Sequence, residues 1–218
     1  MDKNQSVNAM ISLNGIRNVI FDFGGVLFEI DYELPAIAFE KLGFEEFRSL
    51  YTQAAQNPMF DLLETGKVDN DQFIDFLHGF VPEVPRGKVL EAWNVILLRI
   101  LPKEVEFVNS LRKSGTRTFL LSNTNAIHVA EFENMIAKTM DFNLFEAAFE
   151  KIYYSNVIGL KKPYPETFLQ VCEWNNLIPA ETLFIDDSLQ HVEGARRAGL
   201  HAYHLQPGER ISDLISHT

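Results

Sequence analysis

Short apolar runs alternate along this chain with longer stretches in which apolar residues recur every three to four positions. Val19-Ile20-Phe21, Thr118 to Leu121, Lys151 to Ser155, Thr182 to Ile185 and His201 to Leu205 read as strands. Runs this short and this apolar suit strands buried on both faces. Helical spacing fills the gaps. Pro102 opens one helix, with Val105, Val108 and Leu111 on one face and Gly115 just past its end. A mixed helical region runs from about Ala126 to Phe149, and further helices are expected over Tyr164 to Trp174 and Gln190 to Ala198, the last closed by Gly199. Strand and helix in alternation predict an α/β fold with a doubly wound parallel sheet. Right-handed crossovers then place the carboxyl ends of all strands on one edge.

Tyr32 to about Leu101 has a different texture. Leu34, Ile37, Ala38 and Leu42 make one helical face that stops at Gly43, and Phe44 to Ala55 is a second helix. Asp69 caps a third, with Phe73, Phe76, Leu77 and Phe80 on its inner face. Val89 to Leu98, carrying Trp93, is a fourth. No strand is predicted here. The expected organisation is a frayed tail over 1–15, a core formed by 16–31 and 101–218, and a helical cap over 32–100. The aromatic faces of the cap are read as its own core.

Composition narrows the function. The chain has 218 residues, 46% of them hydrophobic, enough for a sizeable core. A net charge of −11 argues against nucleic acid or an anionic membrane as partner. One cysteine, Cys172, allows no internal disulfide and suits a reducing compartment. No apolar run reaches the roughly 18 residues of a membrane span, and the first residues carry no signal-peptide pattern. A cytoplasmic protein, monomeric or weakly dimeric, is expected.

Polar groups interrupt the apolar runs where the strands end. Asp22 follows the first strand, and Gly24-Gly25 break the chain directly after it. Ser122-Asn123-Thr124 end the second, Lys162 lies on the loop after the third, and Asp186-Asp187 end the fourth. Open α/β sheets bind ligands at that edge. Carboxylates gathered there repel one another, so one or more must stay protonated unless a cation is present. Oxygen ligands without nearby Cys or His favour Mg²⁺. Asp187 or Ser188 can equally cap the following helix, and Ser122 and Asn123 can cap theirs. Ser122 and Asn123 can also donate to a phosphate oxygen. Lys162 supplies positive charge; Lys161 competes for that role, but Pro163 fixes the direction of Lys162. Together the groups suit phosphoryl transfer, where positioning and charge stabilisation dominate.

The ordered segments D-F-G-G-V-L, L-L-S-N-T, G-L-K-K-P and F-I-D-D-S resemble the four motifs of the haloacid dehalogenase superfamily, over nearly all of Asn18 to Leu205. With Glu64-Thr65-Gly66-Lys67, they look most like a sugar-phosphate phosphatase branch that includes α-glucose-1-phosphate phosphatases. The resemblance implies a Rossmann-like core with an inserted helical cap. It implies that Asp22 attacks phosphorus and forms an aspartyl-phosphate, and that Ser122, Asn123 and Lys162 hold the phosphoryl group. Mg²⁺ would lie on Asp22, Asp187, Asp186 and the Gly24 carbonyl. The implied substrate is a small phosphorylated metabolite such as a hexose 1-phosphate. One position departs from the pattern: most such phosphatases carry a second Asp, the general acid, where Gly24 stands. That loss is on the order of 10²–10⁴-fold in rate. Glu29, Asp31 and His128 are candidate substitutes, and cap residues near Asp31 and Glu64 are candidates to touch the leaving group. Two rival readings are a metal-independent 2-haloacid dehalogenase and a phosphate-binding regulatory protein without turnover.

Overall fold

Asn18–Phe21 (β1) is buried along its whole length and forms the middle of the sheet. The structure, a computed structural model, describes residues 10–51 and 57–215. After β1 come Phe28–Ile30 (β2) and five helices: Glu33–Lys41 (α1), Phe47–Leu50 (α2), Pro58–Glu64 (α3), Asn70–His78 (α4) and Arg86–Asn94 (α5). Leu97–Ile100 (β3) returns the chain to the core, followed by Pro102–Lys113 (α6), Arg117–Ser122 (β4), Ala126–Thr139 (α7), Phe142–Ala147 (α8) and Lys151–Tyr154 (β5). Ser155–Ile158 (α9), Pro165–Asn175 (α10), Thr182–Asp186 (β6), Leu189–Arg197 (α11), His201–His204 (β7) and Ile211–Leu214 (α12) complete it.

Five strands form a parallel sheet in the order β5-β4-β1-β6-β7. Successive residues of a strand face opposite sides, and the cores follow that rule. Val19, Phe21, Leu120 and Ile185 join the layer formed with α6, α7 and α8. Ile20, Phe119, Leu121 and Phe184 join the layer formed with α10 and α11. Strands covered on both faces need apolar residues at every position, which is why β1, β4 and β6 read as continuous runs. The chain moves from β1 outward to β4 and β5, then crosses to β6 and β7, so the carboxyl ends of β1, β4 and β6 border the crevice where the order reverses.

The helices α1 to α5 enclose a separate core built from Phe39, Phe44, Phe47, Phe60, Phe73 and Trp93, among others. Each such ring contributes roughly 1.5–3 kcal/mol by leaving water. Phe39 stacks on Phe47 at 4.2 Å, and Asp69 with Gln72 forms the reciprocal cap that starts α4.

Three local expectations are corrected. Val89 to Leu98 is not one helix: α5 ends at Asn94, and Leu97–Ile100 pairs antiparallel with β2, Phe28 opposite Ile100 and Glu29 opposite Arg99. That ribbon carries the chain into and out of the helical layer. Its β3 strand exists through pairing, which the four residues Leu97-Leu98-Arg99-Ile100 do not reveal by themselves. A helix over Pro58–Glu64 also went unforeseen, although Asn57 caps it and Pro58 opens it. The predicted frayed tail is tied down at Ile11, whose N–H donates to the Leu214 carbonyl at 2.8 Å and whose side chain is buried. The end of the predicted second helix, and most of the tail, lie outside the described residues.

Candidate active site

Asp22 stands one residue past β1, where its N–H still donates to the Ile185 carbonyl of β6 at 2.9 Å. The chain then turns sharply, with the Phe23 carbonyl accepting from Leu27 and Phe28 at 2.9 Å each. Gly25 is required twice over. Its φ is +77°, and a Cβ there would lie 2.3 Å from Oδ2 of Asp187. The β1 turn and the acid loop after β6 thus touch.

Lys162 is fully buried, and its Nζ donates to Oδ1 of Asp22 at 2.6 Å and to Oδ2 of Asp186 at 2.7 Å. The Asn123 side chain holds the lysine's backbone from both sides, donating to the Lys162 carbonyl and accepting from its N–H, each at 2.9 Å. Its side chain thus ties the end of β4 to the lysine loop. Ser122 ends β4 buried beside it, its hydroxyl donating only a long 3.5 Å bond to the Asn123 carbonyl. The Lys162–Pro163 peptide is cis, and the Pro163 carbonyl lies 2.1 Å from where a Cβ of Gly194 in α11 would be. An exposed Gly→Ala change in a helix gains about 1 kcal/mol. Gly194→Ala is expected to reverse that sign and cost about 1–3 kcal/mol by overpacking. It also displaces the lysine loop; urea denaturation and kcat read the two effects separately.

Lys161 turns the other way, to Asp61 at 2.6 Å and to Glu64 on α3. It ties the loop after β5 to α3, whereas Lys162 alone of the two reaches Asp22 and Asp186.

The acids are not equivalent. Asp186 is completely buried and fully bonded: Lys162, the Ser188 N–H at 2.7 Å and His191 Nδ1 at 3.0 Å surround it. Burial alone would raise its pKa; Lys162 and His191 overcome that and hold it well below the usual carboxylate range. Asp186 also falls, with Asp22 and His191, in the one cluster of the described residues whose ligating atoms lie close enough together to share an ion. Asp22 is pushed up to about 6, first by burial and then by Asp186. Asp187 is pushed up to about 7, first by burial, then by Asp22 and Asp186. Two carboxyls whose pKa values are raised by burial and by neighbouring acids suit a divalent cation, with His191 a nitrogen donor in the cluster that Asp22 and Asp186 form.

Two residues of the site were missed from the sequence. His191, in the first turn of α11, lies with Asp22 and Asp186 in one cluster whose ligating atoms are within 4.8 Å of one another. His204 fixes the acid loop, its Nε2–H donating to the Asp187 carbonyl at 2.9 Å. The first was legible: a helix opened at Leu189 brings its third residue back over the strand end. The second depends on β7 lying beside β6, which no local pattern states.

A cavity of about 330 Å³ opens over these groups, walled by Gly24, Ser122, Lys162 and His191 from the core and by Tyr32, Tyr51 and Glu64 from the cap. A model of the haloacid dehalogenase-like hydrolases matches residues 16–199. The chain belongs to that family. It is 30% identical over 199 residues to the D-ribitol-5-phosphate phosphatase of Bacteroides thetaiotaomicron, covering 88% of this chain and 93% of that protein. A HAD family enzyme of the same organism, solved as an aspartate-to-alanine variant with magnesium and inorganic phosphate, superposes with a TM-score of 0.84 at 31% identity, over 91% of this chain and 98% of that one. A HAD-like hydrolase of Porphyromonas gingivalis superposes with a TM-score of 0.77 at 31% identity, over 89% and 93% of the two chains. The haloacid dehalogenase-like fold accounts for the sheet order and for the site at its mouth. No helix among the described residues is long and apolar enough to cross a membrane.

Proposed function

We propose that this chain is a Mg²⁺-dependent phosphatase of small phosphomonoesters acting through Asp22. One observation carries the reading: the buried Lys162 ammonium bridges Asp22 and Asp186 at the sheet mouth, while Asp187 presses against the same turn. A carboxylate oxygen of Asp22 attacks phosphorus, the phosphorus–oxygen ester bond breaks, and its electron pair leaves on the departing oxygen, which takes a proton. Water then attacks the aspartyl-phosphate at phosphorus, restoring the Asp22 carboxylate and releasing phosphate. Lys162 and the Ser122 hydroxyl balance charge on the phosphoryl oxygens, and Asn123 keeps Lys162 in place. Asp22, Asp186, Asp187 and the Gly24 carbonyl would hold Mg²⁺, which neutralises the crowded acids and polarises the phosphoryl group.

The missing acid at Gly24 has no evident replacement among the three candidates. Glu29 is bound to Arg99 at 2.7 Å and Arg210 at 2.9 Å on the ribbon. Asp31 accepts from the Glu33 N–H at 2.8 Å at the start of α1. His128 lines the cavity, but Asn125 and the Trp93 carbonyl engage both ring nitrogens, and burial pushes its pKa down to about 4. Water is then the proton source, and rates rise steeply with better leaving groups.

The name of one relative, the D-ribitol-5-phosphate phosphatase, supports a sugar-alcohol phosphate and makes ribitol 5-phosphate a better first trial than a hexose 1-phosphate. Assay of phosphorylated metabolites and 2-chloropropionate, with Mg²⁺ and with EDTA, tests the reading. Phosphate release that requires Mg²⁺ supports it; chloride release without metal establishes the dehalogenase instead.

Mg²⁺ binding has a pH signature. Asp22 and Asp187 sit near pKa 6 and 7 without metal, so binding near pH 6 displaces protons and binding at pH 8 displaces few. Apparent affinity therefore rises from pH 6 to pH 8, by up to about tenfold per unit for each proton released. Calorimetry in two buffers of different ionisation enthalpy counts those protons; equal heats in both at pH 6 would contradict the assignment.

A further inference from the structure

The cap wall of the cavity carries polar groups that the phosphoryl chemistry does not use. Tyr32 and Tyr51 both line it, their rings 6.1 Å apart. Among the described residues neither phenol hydroxyl has a hydrogen-bond partner, and neither is among the atoms sealed from solvent. A buried phenol ordinarily finds a partner, so two that open onto one cavity point to groups brought by a ligand. Tyr32 stays a neutral hydroxyl: burial first, then Tyr51, Asp187, Asp22 and Glu64, hold its pKa well above the usual value.

Asp61 and Glu64 stand on the same wall, and Lys161 pairs with both. Asp61 and Glu64 thus bring two carboxylates to one lysine on this wall. A ligand carboxylate would meet like charge there, whereas neutral hydroxyls, each donor and acceptor, match phenols and carboxylates alike. A cavity of about 330 Å³ is at the small end for ligand sites, roughly 300–1,000 Å³.

We propose that Tyr32, Tyr51 and Glu64 form a subsite that reads the hydroxyls of a neutral, polyhydroxylated leaving group and rejects carboxylate-bearing esters. This rests on the phosphatase reading. The experiment compares a pentitol 5-phosphate, phosphoglycolate and p-nitrophenyl phosphate on the Mg²⁺-loaded protein. The parent is expected to show kcat/KM for the pentitol ester about 100-fold above phosphoglycolate. Tyr32→Phe and Tyr51→Phe each raise KM for the pentitol ester about tenfold more than for p-nitrophenyl phosphate. Glu64→Gln narrows the gap to phosphoglycolate. Tyr51 packs against Phe47, Phe60 and Trp93, so the phenylalanine keeps the packing, and melting curves verify the fold. Equal losses on the pentitol and aryl esters, or a parent that prefers phosphoglycolate, overturn the subsite while the phosphatase stands. A parent that hydrolyses none of the three esters removes the phosphatase reading and the subsite with it.

Discussion

Asp22→Asn lowers kcat by on the order of 10⁴-fold or more while leaving the fold intact. Loss of a covalent nucleophile removes a whole reaction path, and such losses reach about 10⁶-fold in other hydrolases. The amide has nearly the shape of the carboxyl but cannot attack phosphorus. Stability moves little or upward in the metal-free protein at pH 7.5. The Asp22 pKa is raised to about 6, so its ionised form is disfavoured by the fold, and any stability from the raised pKa is present below the unfolded value near 3.8 and lost as pH rises through 6. The substitution removes a charge the fold carries at a cost. The Mg²⁺-induced rise in melting temperature shrinks in the same variant, because an ion ligand is gone. Paired kinetics and melting curves check both. Turnover equal to the parent means that another group attacks.

Lys162→Met has the second large effect, and it reaches both stability and rate. Its ammonium is completely buried between two carboxylates. Removing one partner of a buried ionic network leaves uncompensated charge, worth about 3–5 kcal/mol. At about 2–4 °C per kcal/mol for a chain of this size, that is a fall of roughly 10 °C. The sign with pH is definite. Asp186 has a depressed pKa, so its stabilisation is present above the unfolded value of 3.8 and lost as pH falls below it. The difference between parent and Lys162→Met is therefore largest near pH 8 and shrinks in acid as the stranded carboxyls take protons. Loss of one preorganised donor to a developing anion costs a further 10²–10³-fold in kcat. A pH-independent difference would mean that Lys162 stabilises by packing alone.

The sheet and its mouth were legible because burial on both faces leaves so little freedom. Val19 to Phe21, Phe119 to Leu121 and Leu183 to Ile185 must be apolar throughout, so any charge beside them marks an end. Asp22, Ser122, Lys162 and the Asp186-Asp187 pair stood out on that ground, and the structure draws them together. What stayed hidden depended on contacts between distant segments. The β3 strand is made by its partner β2. The bond from the Asn123 side chain to the Lys162 loop joins residues 39 apart, which no local pattern states. Asp186 and Asp187 look alike in sequence, and only the positions of Lys162 and His191 show which of the two they bond. Aromatic residues at helical spacing read as core, and the rings of Tyr51 and Tyr32 do pack there; that both residues also line the cavity is not visible in the spacing.

The most direct test is an acid-quenched mass spectrum of the Asp22 peptide, taken while the protein turns over a phosphomonoester with Mg²⁺. A phosphoryl group on Asp22, missing when EDTA is present and in Asp22→Asn, is the expected result. Steady phosphate release with Asp22 unmodified, or with the phosphoryl group on any other residue, would contradict the account.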